Sequence, residues 1–389
     1  MNKYLLFAVL FSVNLYGQTK WTKTFGGSYD DVGYSVAQTT DSGYVITGYT
    51  NSYGAGSLDV YLIRTNTDGN CLWYKTFGGS SDDEGYSVSQ NTDGGYIIAG
   101  STKSYGAGKR DIYLIKTNSV GDSLWAKTYG GGKDDIGYSV ANTSDGGYII
   151  TGSTKSYGAG GIDVYLIKTD SLGDTLWTKT FGGIANDAGR SAVQTNDGGY
   201  IIAGWISFYG GNYEQVYLIK TDSLGDTLWI KNFGGTNNDA GYSVTQTTDG
   251  GYIITGWTTS YGAGRENVYL IKTNNIGDTL WTKTFGGNYA DCGQSVAQTT
   301  DGGYIIAGHK IPSSTSKYDI WLIKTDISGN KQWDKTFDGT YNKDDYGYSV
   351  RQTFDNGYII VGATSNSSYS PYYTNVWLIK ADSLGVVKK

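Results

Sequence analysis

The chain of 389 residues has few of the residue types that most often build catalytic or metal centres. It contains one histidine, one methionine, two prolines and two cysteines. The histidine, His309, has no identifiable serine or cysteine partner, and no His and Cys cluster has metal-ligand spacing. The two cysteines, Cys71 and Cys292, fall at different points of a 52-residue repeat. We therefore predict two free thiols, because a disulfide requires Cα atoms within roughly 7 Å.

Positive charge is also scarce. The formal net charge is −6, which argues against a groove for nucleic acid. Of the 30 Lys and Arg residues, 14 lie at two recurring positions, represented by Lys23 and Arg64. We interpret both positions as solvated sites on strands rather than as a basic patch.

Long apolar runs are absent after the first residues. The run Tyr4–Val13 follows a basic Lys3 and is too short to span a bilayer. It indicates a signal peptide over residues 1–17, cleaved near Gly17. We expect a secreted protein, periplasmic or extracellular, with association to the cell surface left open. The mature part, 18–389, is predicted to form one domain.

The residues that are abundant favour strands and turns. The chain has 59 Gly, 36 Tyr and 11 Trp, and such a composition disfavours helices. An internal repeat explains it, because seven tryptophans recur every 52 residues. These are Trp21, Trp73, Trp125, Trp177, Trp229, Trp281 and Trp333.

Each copy of the repeat contains four short strand signals, which we name A to D. In the copy that begins at Trp73 they are GYSVSQ, GYIIAG, DIYLIKT and, returning to the next tryptophan, LWAKTYGG. Strands B and C are apolar on both faces, which is typical of a sheet covered on both sides. Seven such antiparallel four-stranded sheets predict an all-β fold, the seven-bladed β-propeller.

The point within the repeat at which the chain starts and stops distinguishes a closed ring from an open β-solenoid. A solenoid would start and stop at the same point of the repeat. This chain begins with strand D, at 20–27, and ends after strand C, at 375–381. The first strand must therefore complete the last blade, and the ring has no free edge. We expect a monomer. The residues predicted to close the ring are Trp21, Phe25, Val376 and Leu378.

The repeated pattern W-x-K-T-F-G-G-x3-D-D-x-G-Y-S-V, followed by D-G-G-Y-I-I-x-G, extends over about residues 21–381. It resembles the seven-bladed β-propeller repeat family of secreted and surface proteins of bacteria and archaea. The resemblance implies the fold and a location outside the cytoplasm. It implies no catalytic motif.

In a propeller, the D–A and B–C connections share one face. Here they are the longer loops, such as FGGSYDDVG and TNSYGAGSLD, so we expect function on this long-loop face. Aspartates recur in the D–A loops. They are candidate calcium ligands or, alternatively, residues that fix the turn by accepting backbone hydrogen bonds. Calcium is the one cofactor that these residues suggest, and its candidate ligands are Asp30, Asp31, Asp82 and Asp83.

Four B–C loops carry the same sequence, SYGAG. Their tyrosines either form repeated weak sites for a sugar or a partner protein, or pack back onto the neighbouring blade. They are Tyr53, Tyr105, Tyr157 and Tyr261.

Departures from the repeat are concentrated in copies four to six. Trp205, Trp257 and His309 share one position after the glycine of strand B. Arg190 and Gln294 replace the tyrosine that begins strand A in the other copies, at the mouth of the central channel. These five residues predict an off-centre site suited to stacking on a sugar or to a protein contact. The alternative is aromatic filler between blades.

The sequence therefore favours a secreted, non-enzymatic scaffold that binds an extracellular protein or a glycan through its long-loop face. Nearly every polar residue recurs in each copy, whereas catalysis requires unlike groups that converge on one atom. The alternative is a glycan-active hydrolase or lyase that uses carboxylates at the channel mouth.

Overall fold

The computed structural model describes residues 20–208, 213–312, 317–339, 343–366 and 373–387. The elements in these ranges are 28 strands, β1 to β28. The part of the chain that the structure describes holds no helix that is long and apolar enough to cross a bilayer. The predicted signal peptide, 1–17, lies outside the described residues.

Each blade contains four strands in the order A to D. The A strands are β2 Asp31–Gln38, β6 Asp83–Gln90, β10 Asp135–Asn142, β14 Asp187–Gln194, β18 Asp239–Gln246, β22 Asp291–Gln298 and β26 Tyr346–Gln352. The B strands are β3 Tyr44–Thr50, β7 Tyr96–Thr102, β11 Tyr148–Thr154, β15 Tyr200–Ser207, β19 Tyr252–Thr258, β23 Tyr304–Lys310 and β27 Tyr358–Asn366. The C strands are β4 Asp59–Thr65, β8 Asp111–Thr117, β12 Asp163–Thr169, β16 Glu214–Thr221, β20 Asn267–Thr273, β24 Asp319–Thr325 and β28 Tyr373–Ala381. The D strands are β5 Cys71–Phe77, β9 Ser123–Tyr129, β13 Thr175–Phe181, β17 Thr227–Phe233, β21 Thr279–Phe285, β25 Lys331–Phe337 and β1 Trp21–Phe25.

The strands form seven antiparallel four-stranded sheets. Blades 1 to 6 are consecutive, from β2–β5 to β22–β25, and blade 7 has the order β1-β28-β27-β26. The predicted propeller and its closure by the first strand are therefore confirmed. The register of the closing pair joins Trp21 to Lys380, Lys23 to Leu378 and Phe25 to Val376.

The innermost A strands contact one another around the ring, and β26 contacts β2 across the seam. A glutamine at the end of strand A accepts a hydrogen bond from the A–B turn of the preceding blade. At the seam, the backbone N–H of Phe354 donates to Gln38 Oε1 at 2.8 Å. The closing blade thus repeats the contact seen between Ser144 and Gln194 within the ring.

The hydrophobic core consists of seven clusters, each shared by two adjacent blades. Strands B and C are buried on both faces, so their apolar residues reach the blade on either side. At the seam, Ile46 and Tyr61 of blade 1 pack with Val361 and Leu378 of blade 7. Burying one such side chain stabilises the fold by roughly 1.5–3 kcal/mol.

The recurring tryptophan of strand D contacts a tyrosine of the next blade. The ring centroids of Trp73 and Tyr96 are 5.9 Å apart, and the same pair recurs at the seam as Trp21 and Tyr44 at 5.8 Å. The final turn of the chain also takes part. A Cβ added to Gly385 would lie 2.7 Å from the Trp333 ring, so only glycine fits under this indole.

One of the two recurring basic positions is buried, and the prediction that it is solvated is wrong. Arg64 is 4% exposed and Lys220 is 2% exposed. Each cation pairs with the aspartate of its own A–B turn, as Lys220 does with Asp197 at 2.9 Å. The position represented by Lys23 is partly exposed. It contacts the C–D turn of the next blade, where Lys23 Nζ lies 3.0 Å from Asn70 Oδ1.

Both cysteines are free, as predicted. Cys71 is exposed on β5 and Cys292 is buried on β22. Partial desolvation by its surroundings raises the pKa of the Cys71 thiol although its residue is exposed, and full burial raises that of Cys292, so neither is a reactive thiolate at neutral pH.

Candidate functional site

A β-bulge in each blade aims one side chain at the central channel. In blade 1, Gly33 pairs with Gly48 and Ser35 pairs with Thr47, which leaves Tyr34 as the extra residue. A Cβ on Gly48 would lie 1.7 Å from the carbonyl oxygen of Val32, so the bulge requires glycine there. Bulges turn a side chain away from the regular pleat, and here they present seven side chains to the channel.

The seven bulged residues together line one cavity of about 280 Å³. All seven are partly exposed. They form a ring of five tyrosines, one arginine and one glutamine: Tyr34, Tyr86, Tyr138, Arg190, Tyr242, Gln294 and Tyr348. We call this set the channel ring.

Four of the five tyrosines of the channel ring contact one another. The centroids of Tyr34 and Tyr86 are 5.3 Å apart, those of Tyr86 and Tyr138 are 5.5 Å apart, and those of Tyr34 and Tyr348 are 4.9 Å apart. Burial raises the pKa of Tyr34, Tyr86 and Tyr348, so their hydroxyls remain protonated and can donate hydrogen bonds.

Arg190 is the one cation of the channel ring. Its guanidinium carbon lies 4.1 Å from the centroid of Tyr138 and 5.6 Å from that of Tyr242, so it is held by two cation–π contacts. No carboxylate of the described residues lies within 4 Å of the guanidinium, and Arg190 Nε has no hydrogen-bond partner among them. Burial raises the pKa of the nearby Glu214, and the Arg190 charge lowers it in part.

The five residues of the predicted off-centre site do not lie together in the structure. Arg190 and Gln294 line the cavity, whereas Trp205, Trp257 and His309 do not. Trp257 lies behind the ring, where its Nε1 donates to the Tyr242 hydroxyl at 2.9 Å. Each of the three residues lies opposite a small residue of strand A, respectively Ala188, Ala240 and Cys292.

His309 packs edge-on against Tyr318 and against Tyr346 of the next blade, at 5.0 and 5.1 Å between ring centroids. Burial lowers its pKa to about 4, so the imidazole is neutral at pH 7. His309 Nδ1 has no hydrogen-bond partner in the described residues. The geometry gives this histidine a packing contact and shows no group for it to activate.

Sequence reasoning missed an acid that occurs in only one copy beside the channel. Glu84 occupies a position that is Val32 in copy one and Ile136 in copy three. Its Oε2 accepts a hydrogen bond from the Tyr86 hydroxyl at 2.8 Å, and its Oε1 lies 3.2 Å from Arg110. Aligning the seven copies would have revealed Glu84, because it is the one acidic residue at a position that is otherwise mostly apolar.

The aspartates proposed as calcium ligands are engaged with their own loops. Asp31 is fully buried and accepts from Gly27 N at 2.7 Å, from Ser52 Oγ at 2.7 Å and from the Thr50 hydroxyl. Burial raises the pKa of Asp31, and these hydrogen bonds lower it only in part. Such contacts are those of a residue that fixes a turn. Calcium binding here stays a prediction.

The other three candidates have comparable partners. Asp83 accepts from Gly79 N at 2.8 Å and from Ser104 Oγ at 2.6 Å. Asp82 pairs with Lys103 at 2.6 Å. Asp30 accepts from the backbone and hydroxyl of Thr374 across the seam.

A different group of acids converges where blade 6 meets blade 7. One oxygen from each of Asp319, Asp338 and Asp345 lies within 4.8 Å of the others. Asp338 replaces a glycine of the six other copies, such as Gly78. Burial raises the pKa of Asp319 and of Asp345 to about 6, and the charge of Asp338 adds to both shifts. Carboxylates at this spacing could hold a hard cation.

The four loop tyrosines pack against their own blade and the connection that precedes it. The Tyr105 hydroxyl donates to the Gly78 carbonyl at 2.8 Å, and its ring lies 5.8 Å from Tyr113. Tyr53, Tyr157 and Tyr261 repeat both contacts. Tyr105, Tyr157 and Tyr261 remain 45–47% exposed, whereas Tyr53 is less exposed and its ring also lies 5.1 Å from Tyr74.

The fold is shared with solved propellers of low sequence identity. The WD40 domain of Pan2 from Neurospora crassa has a TM-score of 0.54 at 9% identity, over 93% of this chain and 92% of that chain. Sqt1 from Chaetomium thermophilum, bound to the N-terminus of ribosomal protein L10, has a TM-score of 0.50 at 10% identity, over 92% and 98% of the chains. These similarities confirm the propeller fold.

No family model matches the chain. A regulatory protein of Caulobacter vibrioides, FlaEY, is 26% identical over 223 residues. The matched part covers 48% of this chain and 23% of that protein, so the chain spans about a quarter of this relative.

Proposed function

We propose that the chain is a secreted binding module that recognises an acidic group of a protein ligand at its channel ring. The observation that carries this proposal is the environment of Arg190. An arginine replaces a repeated tyrosine, lies on two aromatic faces and has no carboxylate within 4 Å among the described residues. A carboxylate brought by a ligand would complete a charge-assisted hydrogen bond in a partly desolvated place.

The surrounding groups support the same ligand chemistry. Tyrosine hydroxyls donate hydrogen bonds, and tyrosine rings provide contact area at low entropic cost. The crystal structure of the neighbour Sqt1 contains the bound N-terminus of ribosomal protein L10. A propeller of this kind can therefore serve as a protein-binding scaffold, which is how we interpret the present chain. Secretion rests on the N-terminal signal and is part of the proposal.

The test uses the chain 18–389 and an array of acidic peptides, each with an amidated or Asn/Gln counterpart. Arg190→Gln should weaken binding of the selected peptides at least tenfold, the range expected for a charge-assisted pair. Glutamine already occupies the channel ring at Gln294, so this variant is expected to fold. Affinity is measured by calorimetry or surface plasmon resonance.

Arg265→Gln is the matched control, because Arg265 is exposed on a B–C loop and its loss changes the net charge equally. Equal weakening in both variants would show general electrostatic attraction instead of a site. Unchanged affinity in Arg190→Gln would overturn the channel ring as the binding site.

A glycan array, run in calcium and again in EDTA, tests the alternatives. If the chain binds acidic glycans and Arg190→Gln abolishes that binding, the ligand of the channel ring is a carbohydrate and not a protein. Breakdown of a glycan would favour the hydrolase or lyase alternative. That chemistry uses two carboxylates about 5–9.5 Å apart, and the channel ring contains none.

A further inference from the structure

A second arginine lies beside the central channel, on the innermost strand of blade 7. Arg351 belongs to β26, which has β27 as its partner on one edge and the channel on the other. Its side chain is exposed although the strand is innermost, so the water that it meets is that of the channel.

Two hydrogen bonds show where the guanidinium lies. Arg351 Nη1 donates to the Val350 carbonyl at 2.8 Å and to Ser295 Oγ of blade 6 at 3.3 Å. The backbone N–H of Val350 donates to the same serine at 3.2 Å, so this residue turns its polar backbone groups away from β27. Ser295 directly follows Gln294 of the channel ring. The guanidinium therefore lies below the channel ring by about two residues, or roughly 7 Å along the strand.

Arg351 is a departure from the repeat. The serine link between blades needs no arginine, because Ser35 accepts from the backbone N–H of Val88 in the same way as Ser295 accepts from that of Val350. The equivalents of Arg351 in the other copies are uncharged and partly exposed: Ala37, Ser89, Ala141, Val193, Thr245 and Ala297. The charge is therefore an addition made in one copy to a wall that is otherwise neutral.

The positive charge of Arg351 is not neutralised by the chain. No carboxylate of the described residues lies within 4 Å of its guanidinium. Desolvation lowers the pKa of Arg351, yet an arginine stays charged at neutral pH. Arg190 is the other cation of the channel without such a partner, and it lies on blade 4, as far from blade 7 as seven blades allow. Two unpaired cations on opposite walls favour an anionic ligand between them.

We propose that Arg351 forms a second anion subsite below the channel ring, and that the ligand is the C-terminal residue of a peptide that ends in Asp or Glu. Such a residue carries an α-carboxylate and a side-chain carboxylate, one for each arginine. The cavity at the channel ring, about 280 Å³, is smaller than the roughly 300–1,000 Å³ of most ligand pockets, so it suits one chain end. This inference rests on the function proposed for the channel ring and specifies its ligand.

Three tripeptides separate the two carboxylates. Acetyl-Gly-Ala-Glu has both, its α-amide has the side-chain carboxylate alone, and acetyl-Gly-Ala-Gln has the terminal one alone. Acetyl-Gly-Ala-Glu should bind the wild-type chain 18–389 at least tenfold more tightly than either monoacid, as expected for one further charge-assisted hydrogen bond. Calorimetry measures the affinities. Equal affinity for the three peptides would overturn the second subsite.

Arg351→Ala is the main variant. Alanine already occupies the equivalent position at Ala37, Ala141 and Ala297, so the variant is expected to fold, which its melting temperature checks. The advantage of acetyl-Gly-Ala-Glu over the tighter monoacid should disappear, whereas the monoacid bound at Arg190 keeps its affinity. An advantage that persists in this variant would overturn the assignment.

Two further variants separate a charge at this place from packing and from general attraction. Arg351→Lys keeps the charge and should retain part of the advantage, so an equal loss in the lysine and alanine variants would contradict an electrostatic role. Arg265→Ala removes a charge from an exposed B–C loop and should leave the three affinities unchanged. A loss in Arg265→Ala as large as that in Arg351→Ala would overturn a specific site.

The same measurements distinguish this inference from the function on which it rests. Weakening by Arg190→Gln without any effect of Arg351→Ala would preserve the channel ring as a site and remove the second subsite alone. No binding of any acidic peptide at millimolar concentration would overturn both. Glutarate, which has two carboxylates and no peptide bond, tests the source of the acid. Glutarate that binds as tightly as acetyl-Gly-Ala-Glu would overturn a peptide terminus as the ligand.

Discussion

Each blade has a recurring basic residue on strand D and another on strand C, and the two differ in their exposure to solvent. The lysine of strand D, such as Lys231, is 37% exposed and pairs with Asp278 on the next blade at 2.9 Å. The basic residue of strand C, such as Lys220, is buried, and its Nζ bonds both Asp197 and the Thr221 carbonyl. Exposed ion pairs contribute about 0–1 kcal/mol, whereas a buried charge without its partner is strongly destabilising.

We predict an asymmetry between the two members of the buried pair. Asp197→Asn should lower the free energy of unfolding by about 2 kcal/mol, because Lys220 stays buried with a weaker partner. Lys220→Met should cost less, since the buried charge is removed and Asp197 is exposed to water. Chemical denaturation of both single variants and the double variant measures the difference.

The exposed pair provides the control. Asp278→Asn should change the free energy of unfolding by less than about 1 kcal/mol. Equal losses in Asp197→Asn and Lys220→Met, or a larger loss in the lysine variant, would contradict the argument from burial.

At the scale of the strand, a bulge in strand A lies opposite a glycine in strand B. Gly48 admits the Val32 carbonyl, and the bulge this permits turns Tyr34 into the channel. The same register shift occurs in all seven blades. A backbone irregularity therefore creates the channel ring, while Arg190 and Gln294 vary only the side chain presented.

The first strand, β1, has the largest effect expected of a single element. It supplies the outer strand of blade 7 and the contact between Trp21 and Tyr44 of blade 1. Deleting residues 19–27 should expose the edge of β28 and open the ring. We expect a larger hydrodynamic radius and a large loss of thermal stability, measured by light scattering and calorimetry.

Moving the strand is the matched control for deleting it. In a permuted chain, residues 19–27 are removed and the residues after Gly385 are replaced by DTLWTKTFGG, the equivalent residues 278–287 that form strand D of blade 5. Because the last C–D turn is present, strand D can then follow strand C as in blades 1 to 6. Recovery of stability is expected. An unchanged melting temperature in the simple deletion would disprove closure by β1.

The whole molecule contains two rings of aspartates with opposite shifts of pKa. Near the short turns, the pKa values of Asp145 and Asp249 are about 2, because hydrogen bonds from Lys168 and Lys272 outweigh burial. Near the long loops, burial raises the pKa of Asp59, Asp111, Asp163 and Asp187.

The two rings predict a maximum of stability on the acid side of neutrality. Groups with a raised folded-state pKa destabilise the fold when ionised, so stability rises as the pH falls from 7 towards 4. Groups with a lowered pKa stabilise it above about pH 3.8, and that contribution is lost as the pH falls towards 2. His309 opposes the first trend, since its pKa of about 4 makes its contribution fall below pH 6.5.

Melting temperatures from pH 8 to pH 2 test this profile. We expect a maximum between about pH 4 and pH 6 and cooperative acid unfolding below about pH 3. Asp319→Asn should flatten the rise between pH 7 and pH 5, because the pKa of Asp319 is about 6. Asp249→Asn should reduce the loss below pH 4. Stability that decreases steadily from pH 7 would contradict the prediction.

The sequence by itself determined the number of blades, the order of strands, the closing strand and the place of Arg190 and Gln294 beside the channel. These follow from the period and phase of a repeat, and every copy carries the same local information. The same pattern could not show that Arg64 and its equivalents are buried. A basic residue at the end of an otherwise apolar strand is compatible with exposure to solvent and with an ion pair to the turn of its own blade, such as that with Asp41.

Tertiary structure alone decided which side chains meet. The bulge at Tyr34 depends on pairing with Gly48, fourteen residues away. The tertiary structure also places Trp257 outside the cavity and Glu84 beside Tyr86. A repeat encodes each blade locally, whereas a site depends on distances between residues of different strands and blades, which closure of the ring sets.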